Sequence, residues 1–188
     1  MRKVFLLLLF VLFSGICSAP SLDFKLAFLK IREAWGILEK QFHESELSRF
    51  ITDLGYMESG NNWQSVNKIG CFGEWQFQES TLWHLGYTRI TLLKFIKNPE
   101  IFPPELQLQA LKNLMQINLS HLSDYEHFIG DSIKGIRITK SGMIAAAHLG
   151  GALSVQQYLD SRGLVNKKDA LGTSIYDYLK IFSYYDLE

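Results

Sequence analysis

Glu58 stands at the end of an apolar, helix-spaced segment, between Met57 and Ser59, where the negative end of a helix dipole opposes a further negative charge. That placement is expected to disfavour ionisation, and a carboxyl group kept protonated near neutral pH can hand a proton to a poor leaving oxygen. Fifteen to nineteen residues on, "GEWQF" supplies Gly73, Glu74, Trp75, Gln76 and Phe77. Amides bond hydroxyl and acetamido groups, and aromatic faces cover the apolar side of a sugar ring. Together the two stretches suggest an acid beside a carbohydrate cleft. The plainer alternative is a solvated helix-end glutamate and a loop whose Trp75 and Phe77 pack inward.

Other chemistries find less support. The five histidines, His43, His84, His121, His127 and His148, show no paired metal-ligand spacing; His121 and His127 are six positions apart rather than three or four. No metal and no cofactor is therefore expected. Cys71 with a distant histidine could form a nucleophilic pair, but one cysteine among five histidines makes some such pairing unavoidable.

The elements that must position these groups are mostly helical. From Leu26 to Phe42, apolar residues at spacings of three and four predict an amphipathic helix. A second is expected from about Ser45 to Glu58, stopped by Gly60, Asn61 and Asn62. After an irregular stretch, "ESTLWHLGYTRITLLKFIKN" reads as a short helix, a break at Gly86 and another helix from about Arg89 to Lys97. Pro103 and Pro104 open a helix from Glu105 to about His121, since proline fits a helix's first turn and glutamate its positive end. Ile133, Ile136 and Ile138, set among glycines, suggest a small hairpin or a loop. Thr139 or Ser141 then caps "GMIAAAHLGG", "ALSVQQYLDSRG" follows, and a short last helix begins near Thr173. The expected class is mainly α, a single domain over residues 20–188. Tyr176, Tyr178, Tyr184 and Tyr185 of the last segment could line sugar subsites, although helix packing is the plainer role.

Residues 1–19 differ from the rest. Arg2 and Lys3, the apolar run Val4 to Phe13 and the small residues Ser14, Gly15, Ser18 and Ala19 form the pattern of a secretory signal peptide. The run is about ten residues, short of the roughly 20 that span a bilayer, so no stable membrane span is expected after cleavage. Cleavage is expected after Ala19, with Ser18 the alternative because Pro20 adjoins the site. Ile16 before Cys17 argues against lipid anchoring, which needs a small residue there. An exported, periplasmic or secreted protein follows. Cys71 is then the one remaining cysteine, so the core rather than a disulfide must stabilise the fold. Nineteen basic and nineteen acidic residues give no net charge, which removes the electrostatic case for nucleic acid or an anionic membrane as partner.

Three local patterns fall in an order similar to that of the lytic transglycosylases of the lysozyme-like superfamily, the soluble-transglycosylase and goose-type lysozyme branch. Glu58, Ser59 and Gly60 resemble that family's Glu-Ser-Gly, while Gly73 and Gln76 resemble its Gly-x-x-Gln, with Thr81 following. Ala146, Ala147, His148, Leu149, Gly150 and Gly151 resemble its Ala-Ala-Tyr-Asn-x-Gly, with Val155 and Tyr158 behind. The likeness covers about residues 47–159. It departs at His148, where the family has a tyrosine touching the catalytic carboxyl, at Leu149 in place of asparagine, and at Glu74, a position usually apolar.

The resemblance implies a lysozyme-like domain with an irregular loop or small hairpin lining its cleft, and cleavage of peptidoglycan glycan strands. Glu58 would act as the single acid and base, with Ser59, Gly73, Glu74, Trp75, Gln76 and His148 around the substrate. Gln76 would hold the acetamido group or glycan, Trp75 would wall the cleft, and His148 could orient Glu58. Two rivals stand beside it: a hydrolytic muramidase in which Glu74 activates water, its carboxyl roughly 6.5 to 9.5 Å from Glu58 as in inverting enzymes, and a glycan-binding protein without turnover.

Overall fold

The computed structural model describes residues 21–187, so the signal segment, its cleavage position and Cys17 lie outside the described residues. Those described fall into two units, the first ending at Phe42 and the second beginning at His43. The structure is mainly helical, with one two-stranded sheet.

Helix α1, Ser21–Ser59, is continuous where two helices were expected. The sequence from Phe42 to Glu46 has no glycine or proline, and nothing local breaks the backbone ladder. In the first unit Leu29, Ile31, Ile37 and Leu38 are exposed. Over residues 29–42, where burial is described, the amphipathic spacing does not translate into a buried stripe.

In the second unit, Phe50 and Leu54 of α1 are fully buried, and the chain leaves the helix through Gly60 and Asn61, both at positive φ. The irregular stretch that follows is tied rather than loose. Backbone bridges join Val66 to Phe72 and Phe72 to Phe77. Phe72 and Phe77 pack edge-on against Phe102, at 6.2 and 5.8 Å between ring centres.

Helix α2, Glu79–His84, stops before Gly86 as expected. α3, Leu92–Lys97, starts later than expected because Thr91 caps it, accepting the N–H of Lys94. α4, Pro104–Leu122, begins on its proline. After it, Ser132–Ile133 (β1) and Ile136–Arg137 (β2) pair antiparallel through a turn at Lys134 and Gly135, both at positive φ. This is the hairpin alternative, but none of its residues lines the cleft described below.

Helix α5, Lys140–Gly150, is the centre of the core. Every residue from Ser141 to Ala147 is buried, and it packs on α4, on α6 (Ala152–Asp160) and on α7 (Ile175–Ile181). Its cap is Thr139, whose hydroxyl accepts the Gly142 N–H at 3.1 Å. Small residues are needed here: a Cβ on Gly142 would stand 2.8 Å from the Leu179 carbonyl oxygen. α7 starts on a capping box, with Ser174 accepting from Asp177 N–H while the Asp177 carboxylate accepts from the Ser174 backbone.

The C-terminal tyrosines divide. Tyr185 is buried against α1, its hydroxyl donating to Asp53 at 2.6 Å and its ring 4.9 Å below the Arg49 guanidinium. Tyr178 faces the other way, into the cleft.

Candidate active site

A cleft of about 450 Å³ opens in the second unit, bordered by the end of α1, the irregular loop, α4, the end of α5 and the segment before α7. Glu58 reaches it because α1 runs one turn past Leu54, its last fully buried apolar side chain. Its side chain is 14 % exposed.

Two groups converge on Glu58 Oε1. The Tyr178 hydroxyl donates to it at 2.6 Å, and His148 Nε2 stands 3.9 Å away. Tyr178 is held well above the usual phenol range, first by burial and then by the negative charge of Glu58 and the hydrogen bond itself. The phenol therefore keeps its proton and acts as a fixed donor. His148 Nε2 lies 2.9 Å from the Trp75 carbonyl oxygen. A carbonyl only accepts, which assigns the hydrogen to Nε2. His148 thus ties α5 to the loop while its ring edge faces the carboxyl.

The remaining expected site residues take different places. Ser59 is a clasp between helix end and loop: its hydroxyl donates to the Glu74 carbonyl at 2.7 Å and accepts the Asn62 N–H at 3.0 Å. Trp75 does not wall the cleft. It is 3 % exposed in the core, its indole N–H on the Ile51 carbonyl at 3.1 Å, and its backbone oxygen is taken by His148. Gln76 does line the cleft, at a left-handed φ of 49°. Its Nε2 donates to the Gly73 carbonyl at 2.8 Å, while Oε1 is buried without a partner among the described residues.

Gly73 serves the loop's packing. At φ 84° it presses on Gln107, and a Cβ there would come within 2.6 Å of the Gln107 Oε1. Gln107 is fully buried and gathers the Glu74 N–H at 2.7 Å and the Trp63 and Phe102 carbonyls at 2.9 and 2.7 Å. An amide with its donors and acceptor satisfied in this way fixes a loop as firmly as a strand pairing would.

Glu74 is also displaced from its expected role. Its carboxyl lies over Gly55, where a Cβ would approach Oε1 to 2.9 Å, and burial raises it above the usual carboxylate range. It is not among the cleft-lining residues. The second carboxylate that does line the cleft is Asp169, which sequence reasoning missed. Its Oδ1 accepts the N–H groups of Leu171 and Thr173 at 2.9 and 2.8 Å, and its charge, like that of Glu58, bears on Tyr178 and Cys71. Its sequence signal is slight: an aspartate opening the turn "DALGT" before a capped helix.

Cys71 borders the same cleft. Burial pushes its thiol up, against the lowering effect of Asn67, and a protonated thiol is a poor nucleophile. Among the described residues no group of three or more His, Cys, Asp or Glu side chains could hold a metal ion. Nor, among them, is any helix long and apolar enough to cross a membrane. No protein-family model, curated protein or solved structure matches the chain.

Proposed function

We propose that the chain is a lytic transglycosylase of lysozyme-like fold that cleaves the bond between N-acetylmuramic acid and N-acetylglucosamine in peptidoglycan. One observation carries the reading: a nearly buried carboxyl, Glu58, borders a sugar-sized cleft with one oxygen held by a phenol that keeps its proton. Since Tyr178 occupies Oε1, the other oxygen is left to carry the transferable proton. The exported location expected from residues 2–19 suits a substrate that lies outside the cytoplasm.

In the first step Glu58 protonates the glycosidic oxygen as the bond to C1 breaks, and the acetamido oxygen of the muramoyl sugar closes on C1. In the second, the C6 hydroxyl oxygen displaces that acetamido oxygen and its proton returns to the Glu58 carboxylate. A 1,6-anhydro ring results without water. One carboxyl group suffices, in contrast to the two of most glycosidases. Tyr178 stabilises the carboxylate between the steps, because a hydrogen bond to the charged form favours it.

The tyrosine partner also answers the departure at His148. The resemblance implies a tyrosine on the carboxyl from the position of His148; here a tyrosine touches it from α7 instead.

A hydrolytic muramidase is the second reading, and Asp169 rather than Glu74 favours it, being the other carboxylate on the cleft. Digestion of peptidoglycan in water enriched in heavy oxygen separates the two. The transglycosylase reading expects 1,6-anhydro ends free of the label, whereas labelled reducing ends would replace it with hydrolysis.

A further inference from the structure

Helix α4 buries Ala110, Leu111, Met115 and Leu122 at helical spacing, and Asn118 falls on that same stripe. An apolar side chain is what that position calls for. Asn118 is 6 % exposed, borders the cleft with Leu114 one turn before it, and its carboxamide has no hydrogen-bond partner among the described residues. The amide itself opens onto the cleft rather than being sealed in the core, whereas amides that are sealed in are nearly always paired. Gln107, on the same helix and fully buried, shows the usual case, with its amide engaged by three backbone groups. Asn118 is thus an amide held at the cleft with its bonding capacity unspent.

We propose that Asn118 recognises the N-acetyl group of an amino sugar bound in the cleft, its carboxamide accepting the acetamido N–H and donating to the acetamido C=O. A primary amide offers both a donor and an acceptor, which matches a secondary amide and is only half used by a lone hydroxyl. Leu114, at i−4 on the same helix face, offers apolar surface to the acetyl methyl. The inference rests on the glycan reading, and chemistry favours the acetamido group over the peptide stem as the secondary amide. The acetamido nitrogen is on C2, next to the reacting C1, so it must enter the cleft that holds Glu58, while the stem hangs from the more distant lactyl group.

The test is calorimetric titration of the full-length protein freed of its signal segment with two neutral β-1,4 oligomers, one of N-acetylglucosamine and one of glucose. They differ only in acetamido against hydroxyl at C2. Wild type is expected to prefer the acetylated oligomer by about tenfold or more, and Asn118→Leu and Asn118→Ala to reduce that preference to about twofold. Because no protein group depends on the amide, Asn118→Leu should melt at or above the wild-type temperature. Retention of the full preference by both variants would overturn the role of Asn118 and leave the glycan reading standing. A large loss of melting temperature in both would overturn it by making the amide structural. Binding of neither oligomer by wild type would remove the glycan reading, and this inference with it.

Discussion

The Tyr178 hydroxyl lies 2.6 Å from Glu58 Oε1 although 120 residues of chain separate them. A single hydrogen bond thus joins the end of α1 to the first turns of α7 across the cleft. A bond to a charged group contributes about 1.5–3 kcal/mol, so Tyr178→Phe is expected to lower kcat roughly tenfold to hundredfold. KM should change less than kcat, since the hydroxyl is spent on the Glu58 carboxyl and the ring that borders the cleft is kept in phenylalanine. Steady-state turnover of peptidoglycan by the variant, with both constants resolved, checks this.

His148 works through the Trp75 carbonyl. Removing its Nε2–H leaves that oxygen without its 2.9 Å donor, at a cost of about 1–3 kcal/mol for a buried acceptor. His148→Phe is expected to lower the melting temperature and turnover together, because the loop that carries Gln76 loses its tie to α5. Thermal unfolding beside an activity assay reads both, and an unchanged melting temperature would detach His148 from the loop.

Gly73→Ala tests the loop's anchorage independently of the carboxyl. A left-handed φ costs a non-glycine residue roughly 1–2 kcal/mol, and the new Cβ would drive the Gln107 amide off the Glu74 N–H. A stability loss of at least about 2 kcal/mol is expected, measurable by urea unfolding.

The capping box of α7 gives stability a dependence on pH. Asp177 is held below the usual aspartate range, first by its bond from the Ser174 hydroxyl and then by the Ser174 N–H. A lowered value means that folding favours the charged form: the contribution is present above about pH 4, where an unfolded aspartate is ionised, and is lost as pH falls through the lowered value. Ser174→Ala should cost about 1 kcal/mol at pH 7. The gap between wild type and variant should close in acid. Urea unfolding at pH 7 and pH 3 tests this, and a gap that widened in acid would contradict it.

Local chemistry made much of this fold legible. Pro103 and Pro104 announce α4, Thr139 or Ser141 announces α5, and the isoleucines around Gly135 narrow that stretch to a hairpin or a loop, because caps and turns act over a few residues. What escaped is tertiary. No local signal says that Ser45 would fail to start a new helix, or decides between Trp75 walling a cleft and Trp75 packing inward, the plainer alternative and the one the structure shows. Glu58 is found on the cleft because its place at a helix end is itself local. Tyr178 was visible only as one of several tyrosines, since its partner lies in another part of the chain. The choice of Asp169 over Glu74 as the second cleft carboxylate is likewise set by how the loops fold back. Asn118 and Gln107 carried an unread sequence signal, each a polar residue in register with Leu111, Met115 and Leu122.

The central claim is that Glu58 carries the proton in both steps. Mass spectrometry of the fragments that wild type and Glu58→Gln release from purified peptidoglycan tests it most directly. The account predicts 1,6-anhydro-muropeptides from wild type and no release by Glu58→Gln, in which the amide keeps the shape but cannot donate and recover a proton. Release of the same anhydro fragments by Glu58→Gln at a comparable rate would contradict it.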